Sequence, residues 1–255
     1  MKEGNAAWFE RRVDATAPRG LRLTIVVLVG VVCACLFGLL LHDVVANDGA
    51  VRLDPGVTRF LVDHRSDGLD AVMRGVTWLG SNAVLIPLVA LLVIFVGVVR
   101  RNAWEALLAA LALAGADALY SIVKPIVDRP RPPVAIHLVH VSSFSFPCGH
   151  ATSVTACFGM AATLLAADRS LRWKLVAGVV AAVVVLVVGF SRIYLGVHWF
   201  TDVVAGVALG GLWLCVLWTI ALVAGVPGLS SRQQRRRPGG SSPSPEIAEP
   251  PAEGT

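Results

Sequence analysis

The chain has 255 residues, of which 56% are hydrophobic and 15% charged, with a net charge of +5; a typical soluble domain carries about 25% charged residues. The apolar residues come in long unbroken blocks, several of them close to the roughly 20 residues that cross a hydrocarbon core, which excludes a soluble domain and points to a polytopic helical membrane protein. No basic stripe with interleaved aromatics lies outside the flanks, so nucleic acid is excluded as a partner. Five cysteines, four of them in apolar blocks, argue against a disulfide framework or a zinc site.

Residues 1–20 form a polar, basic tail (Lys2, Arg11, Arg12, Arg19) that is expected on the cytoplasmic side. The first apolar block, Leu23–Leu41, is longer than a signal-peptide core of about 7–15 residues, so Val44-Val45-Ala46 is not taken as a cleavage site and the block is read as an uncleaved span. Residues 42–81 are mixed. Asp54-Pro55 reads as a helix start with a capping carboxylate. Val57, Phe60, Leu61 and His64, then Leu69, Val72, Met73 and Val76, recur at helical spacing. These predict amphipathic helical segments at the membrane interface between spans 1 and 2.

The second span is Asn82–Val99, closed by Arg100-Arg101, and the third is Ala103–Val123. A proline-rich hydrophilic stretch runs from Lys124 to Gly149. The fourth span, His150–Ala167, ends at Asp168, Arg169, Arg172 and Lys174. The fifth is Leu175–Phe190 and the sixth His198–Val223. The expected fold is therefore all-α, a six-transmembrane-helix bundle over residues 21–224. The tail 225–255, rich in Arg, Pro, Ser and Gly, is expected to be disordered and cytoplasmic. Six spans put both termini and the loops at 100–101 and 168–174 on one side. That side holds 14 of the 22 Lys and Arg, so it is assigned to the cytoplasm.

Three polar clusters then fall on the opposite, external side. They are Lys124 to Pro132 with Arg129 and Arg131, Pro147-Cys148-Gly149-His150, and Ser191-Arg192 to His198 and Asp202. Such residues are costly at a membrane unless used. Lys124, Arg131 and Arg192 suit a phosphate dianion if their loops converge. Gly149-His150 opens a helix whose free amides favour an anion. His198 and Asp202, four apart, share a face, so Asp202 can orient the ring while the imidazole attacks. His150 is left to protonate the leaving oxygen.

The clusters resemble the signature of the type 2 phosphatidic acid phosphatase superfamily. Lys124, six residues, then Arg131-Pro132 matches its first part. Ser191-Arg192, five residues, His198, three residues, then Asp202 matches its third. The second part matches except that Cys148 stands where the family has Ser.

The resemblance implies that His198 is the nucleophile, that Asp202 orients it and that His150 is the general acid and base. Lys124, Arg131 and Arg192 would hold the phosphoryl oxygens. Ser191 and the Gly149 amide would complete the cradle, Cys148 being a weaker donor there. It also implies no cofactor and no metal. His137 and His140, three apart, have no carboxylate nearby and are read as solvated loop residues.

A cysteine nucleophile is disfavoured because position 154, six residues after Cys148, is Val154 rather than Arg. Cys148 at a helix start near cations is nonetheless expected to have a lowered pKa and to react with alkylating reagents. Asp117, inside the third span, is read either as a polar contact to a neighbouring helix or as an anchor for one of the site's cations.

The expected function is a bacterial plasma-membrane phosphatase acting outside on a lipid phosphate or polyprenyl diphosphate. The alternatives are a lipid phosphotransferase using the same phospho-histidine, or a transporter. A transporter would show broken helices and midplane charges.

Overall fold

The computed structural model describes residues 18–224. The expected tails 1–20 and 225–255 therefore lie almost wholly outside the described residues. Among these there are eight α-helices and no strand: α1 (Pro18–Ala46), α2 (Asp54–Asp63), α3 (Asp67–Thr77), α4 (Asn82–Ile94, continued by a π turn at Phe95–Val99), α5 (Ala103–Val127), α6 (Gly149–Ala166), α7 (Leu171–Tyr194) and α8 (Phe200–Ala224).

Five helices are long and apolar enough to cross a membrane: α1, α4 with its π turn, α5, α7 and α8. Their outward faces carry exposed apolar side chains such as Leu39, Leu91 and Leu186, each more than 60% exposed. In water such a surface would aggregate; facing lipid, it is the solvated surface of an integral membrane protein. The sequence led us to expect a sixth apolar span at His150–Ala167. The corresponding helix, α6, has 18 residues and is not among the five. The reason lies in its position. Helix α6 packs against α5, α7 and α8, and Ala151, Thr152, Ser153, Val154, Ala156, Cys157, Met160 and Leu164 are buried. A helix surrounded by protein does not need an apolar surface, so hydroxyls are tolerated along it.

Helices in lipid gain nothing from hydrophobic exclusion of water and associate through close packing of small residues. Gly206 and Gly210 of α8 supply that contact. A Cβ at Gly206 would lie 2.5 Å from the Cys148 carbonyl oxygen, and one at Gly210 would lie 2.4 Å from the Thr152 carbonyl oxygen. The α8 backbone thus lies directly on the first turn of α6. This brings the His198–Asp202 segment beside Cys148 and His150.

The mixed region 42–81 forms α2 and α3, with packed and exposed faces. Val57 and Leu61 pack on Cys148, Ile193 and Val203, and Leu69 and Met73 pack on Tyr194, Leu195 and Val197. Phe60 and Val72 point outward. The elbow between the two helices is bolted to the end of α7. Arg65 donates to the Tyr194 carbonyl at 2.6 Å and to Ile136 O at 2.9 Å, and the Tyr194 hydroxyl donates to Asp70 at 2.6 Å. One local expectation is corrected. Asp54 does not cap α2, whose N-cap is Leu53. Its carboxylate is 1% exposed and turns inward to Arg129 and Thr201.

Candidate active site

Helix α5 ends at Val127 because Asp128 takes a left-handed conformation (φ 50°) and its N–H caps the Lys124 carbonyl. The chain then runs through Arg129-Pro130-Arg131-Pro132, where the prolines prevent further helix. The two arginines diverge. Arg131 donates from Nη1 to His198 Nε2 at 3.1 Å, whereas Arg129 turns the other way into a buried ion-pair cluster with Asp54 and Asp202. Lys124, in the last turn of α5, donates to the Phe144 carbonyl at 2.8 Å and to Ser143 Oγ at 3.2 Å. Arg131 Nη2 reaches the same two groups at 3.2 Å.

Helix α6 starts at Gly149, with Cys148 as an N-cap that makes no side-chain cap. A side chain at Gly149 would collide with the Tyr120 ring at 3.0 Å. Glycine therefore lets the helix start sit beside α5. Arg192, in the last turn of α7, is 4% exposed. It donates from Nη1 to Thr77 at 2.7 Å and leaves its buried Nε without a partner among the described residues.

These elements surround a cavity of about 290 Å³. Lys124, Arg131, Arg192, His150, His198 and Gly149 line it, together with uncharged residues such as Asn82 and Ser143; among the described residues no carboxylate lines it. Asp202 stands behind His198, its Oδ2 3.4 Å from His198 Nδ1. That separation is long for a hydrogen bond. The same Oδ2 accepts from the Trp199 amide at 3.0 Å and from the Ser145 hydroxyl. Ser145 Oγ is itself 3.4 Å from His198 Nδ1. The Nδ1 side of the ring thus faces the carboxylate and the Nε2 side faces the cations. Burial, and then Arg131, Arg192 and Lys124, hold His198 well below its ordinary pKa. The ring is neutral at pH 7, with a lone pair to offer.

Six of the nine expected site residues meet at the cavity, and Asp202 backs it. The remaining two do not line it. The Ser191 hydroxyl, fully buried, donates to the Val188 carbonyl at 2.6 Å. Cys148 is fully buried among Ala151, Ile193 and Val203. Burial raises its thiol pKa, outweighing the pull of Arg192, the Ala151 amide and Lys124. The expected low pKa and ready alkylation are thereby corrected: the helix start and the cations are present, but desolvation dominates.

Asp117 does not hold a cation. It accepts from Asn82 Nδ2 at 2.8 Å and from Ser153 Oγ at 2.7 Å, tying together two residues of the cavity wall. Sequence reasoning gave no role to Arg129, Ser145 or Thr201. The Arg-Pro-Arg alternation was the available signal for Arg129. Among the described residues, no group of three or more His, Cys, Asp or Glu could hold a metal ion.

Residues 105–224 match the PAP2 superfamily. Phosphatidylglycerophosphatase B of Bacillus subtilis is 34% identical over 178 residues, covering 69% of this chain and 86% of that protein. Decaprenylphosphoryl-5-phosphoribose phosphatase of Mycobacterium tuberculosis is 34% identical over 168 residues, covering 65% of this chain and 86% of that protein. The fold is similar to the crystal structure of a transmembrane PAP2-type phosphatidylglycerolphosphate phosphatase from Bacillus subtilis. The TM-score is 0.69 at 31% identity, over 74% of this chain and 94% of that one. With the cation-lined cavity and its paired histidines, these likenesses establish that the chain belongs to the PAP2 superfamily of membrane phosphatases.

Proposed function

We propose that this protein hydrolyses a lipid phosphate or polyprenyl diphosphate at the outer surface of a bacterial plasma membrane, through a phospho-histidine at His198. The observation that carries this reading is the cavity itself. Three cations and two imidazoles line it and, among the described residues, no carboxylate does and the buried Nε of Arg192 has no partner. A buried donor left unpaired is costly, and an anion bound beside Arg192 would offset that cost.

In the first step Nε2 of His198 attacks phosphorus and the bond from phosphorus to the leaving oxygen breaks. His150 gives that oxygen its proton. Asp202 accepts the hydrogen bond from Nδ1 and stabilises the positive charge that grows on the ring. Lys124, Arg131 and Arg192 bind the equatorial oxygens, where charge accumulates, and the Gly149 amide adds a donor at the positive end of α6. Phosphate entry takes over the Arg131 donor now held by Nε2. In the second step His150 removes a proton from water, the water oxygen bonds to phosphorus and the P–N bond breaks. Cys148 and Ser191 close the cradle from behind.

In the proposed topology α1, α4, α5, α6, α7 and α8 cross the membrane and both termini are cytoplasmic. Helices α2 and α3 lie at the outer interface with Phe60 and Val72 toward lipid. The 14 of 22 basic residues on the other side of this layout support the orientation. A site at the bilayer surface fits an amphiphile with a phosphorylated head. The relatives named for phosphatidylglycerophosphate and decaprenylphosphoryl-phosphoribose point the same way.

The test is release of inorganic phosphate by the purified protein from a panel of lipid phosphates and prenyl diphosphates. A reporter fused after His140 checks the side of the membrane. Release from at least one substrate and an external reporter are expected. No release from any, with folded protein, would overturn the reading.

A further inference from the structure

Asp54 lies in α2, well before the segment matched to the family, yet its side chain ends in the catalytic machinery. Asp54, Arg129, Thr201 and Asp202 are between 0 and 8% exposed, so water does not solvate them and each charge must be met by protein. Arg129 Nη2 donates to Asp54 Oδ2 at 2.7 Å. Its Nη1 donates to Thr201 Oγ1 at 2.8 Å and to Asp202 Oδ1. Asp54 in turn accepts from the Thr201 amide at 2.9 Å and from the Thr201 hydroxyl at 2.6 Å. Asp202 Oδ1 is thereby taken up by Arg129, and Oδ2 alone faces His198, Ser145 and the Trp199 amide.

We infer that Asp54 and Arg129 are positioning residues of this enzyme, a buried carboxylate–guanidinium pair that orients Asp202 and preserves its charge toward His198. The inference rests on the phospho-histidine reading above. Charge explains why two carboxylates are needed. Arg129 paired with Asp202 alone would cancel the negative potential that the nucleophile's ring requires. A second carboxylate balances the guanidinium and leaves Asp202 one net charge to direct at His198. The other charged or titratable groups around His198 are Lys124 from α5, Arg131 from the proline-rich loop, His150 from α6 and Arg192 from α7. All carry or can gain positive charge. The Asp54–Arg129–Asp202 cluster is therefore the local source of negative potential.

The test compares Asp54→Asn, Asp54→Glu, Arg129→Gln and Thr201→Val with wild type. Phosphate release is measured on a substrate that wild type hydrolyses and His198→Ala does not, so that failure of the underlying reading shows separately. The phosphate-binding cations are untouched, so KM should hold while kcat falls. For Asp54→Asn the expected loss is about a hundredfold, typical of a reacting group misplaced by 1 Å. Asp54→Glu should recover part of it. The acid limb of kcat/KM reports the free enzyme. Removing a negative charge makes His198 harder to protonate, so Asp54→Asn should move that limb to lower pH. Arg129→Gln should move it to higher pH.

Opposite shifts are not expected of a merely structural pair. Wild-type kcat in Asp54→Asn, limbs that move the same way, or a loss matching the unfolded fraction by thermal melting would overturn the inference. If Asp54→Asn does not fold, Thr201→Val, which removes the hydroxyl linking Asp54 and Arg129, decides the matter. Unchanged kcat there overturns it as well.

Discussion

Replacing Gly210 by alanine should damage catalysis without touching any group that binds substrate. A Cβ there would sit 2.4 Å from the Thr152 carbonyl oxygen, and real Cβ contacts do not fall below 3.0 Å, so α8 and α6 must part by about 0.6 Å. The obstacle is backbone, which no rotamer change relieves. His150 rides on α6, whereas His198 and Asp202 are carried by the start of α8, so the opening changes the geometry of acid and nucleophile. Misplacement by 1 Å costs about a hundredfold, so a loss of about tenfold to a hundredfold in kcat is expected. Overpacking should also cost about 1–3 kcal/mol of stability. Gly206→Ala, which meets the Cys148 carbonyl oxygen at 2.5 Å, should behave alike. Gly178→Ala, in α7 with nothing within 4 Å, is the control. The assay is phosphate release with thermal melting in detergent. Full activity in Gly210→Ala would refute the idea that close contact of α6 and α8 sets the site.

Three further outcomes are expected. On the proposed mechanism cations rather than a metal stabilise the transferring phosphoryl group, so chelators should leave turnover intact while vanadate, a five-coordinate mimic, inhibits; a chelator-sensitive requirement for magnesium or zinc would contradict this. The acid limb of kcat/KM should lie below the ordinary histidine value of about 6.5, because His198 is held low by burial and neighbouring cations. On the proposed mechanism the neutral ring is the attacking form, so on this limb activity is lost as pH falls through the lowered pKa. Cys148, fully buried with a raised pKa, should resist thiol alkylation in the folded protein. Rapid modification with loss of activity would show that the helix start opens.

The residues that meet at the cavity are legible from local spacing. His198 and Asp202 are four apart, and Lys124, Arg131 and Arg192 stand out as cations in an apolar chain. What escaped depends on contacts distant in sequence. Asp54 and Arg129 are 75 positions apart, and no periodicity relates them. Asp54 before a proline resembled a cap, which is a local explanation for a residue with a tertiary role. Helix α6 reads in sequence as one more apolar span, although much of its surface is covered by α5, α7 and α8. For Cys148, composition and helix position indicated the groups that lower a thiol pKa. The amount of burial that opposes them became visible only with Ala151, Ile193 and Val203 in place.

The most direct test of the mechanism is to trap the phosphorylated enzyme. The purified protein is mixed with a substrate labelled in its phosphoryl group, quenched within the first turnovers without acid, and examined for acid-labile label on the chain. Wild type should carry the label on His198. His198→Ala should carry none and release no phosphate. Equal labelling of wild type and His198→Ala, or turnover with His198 absent, would contradict the assignment of the nucleophile.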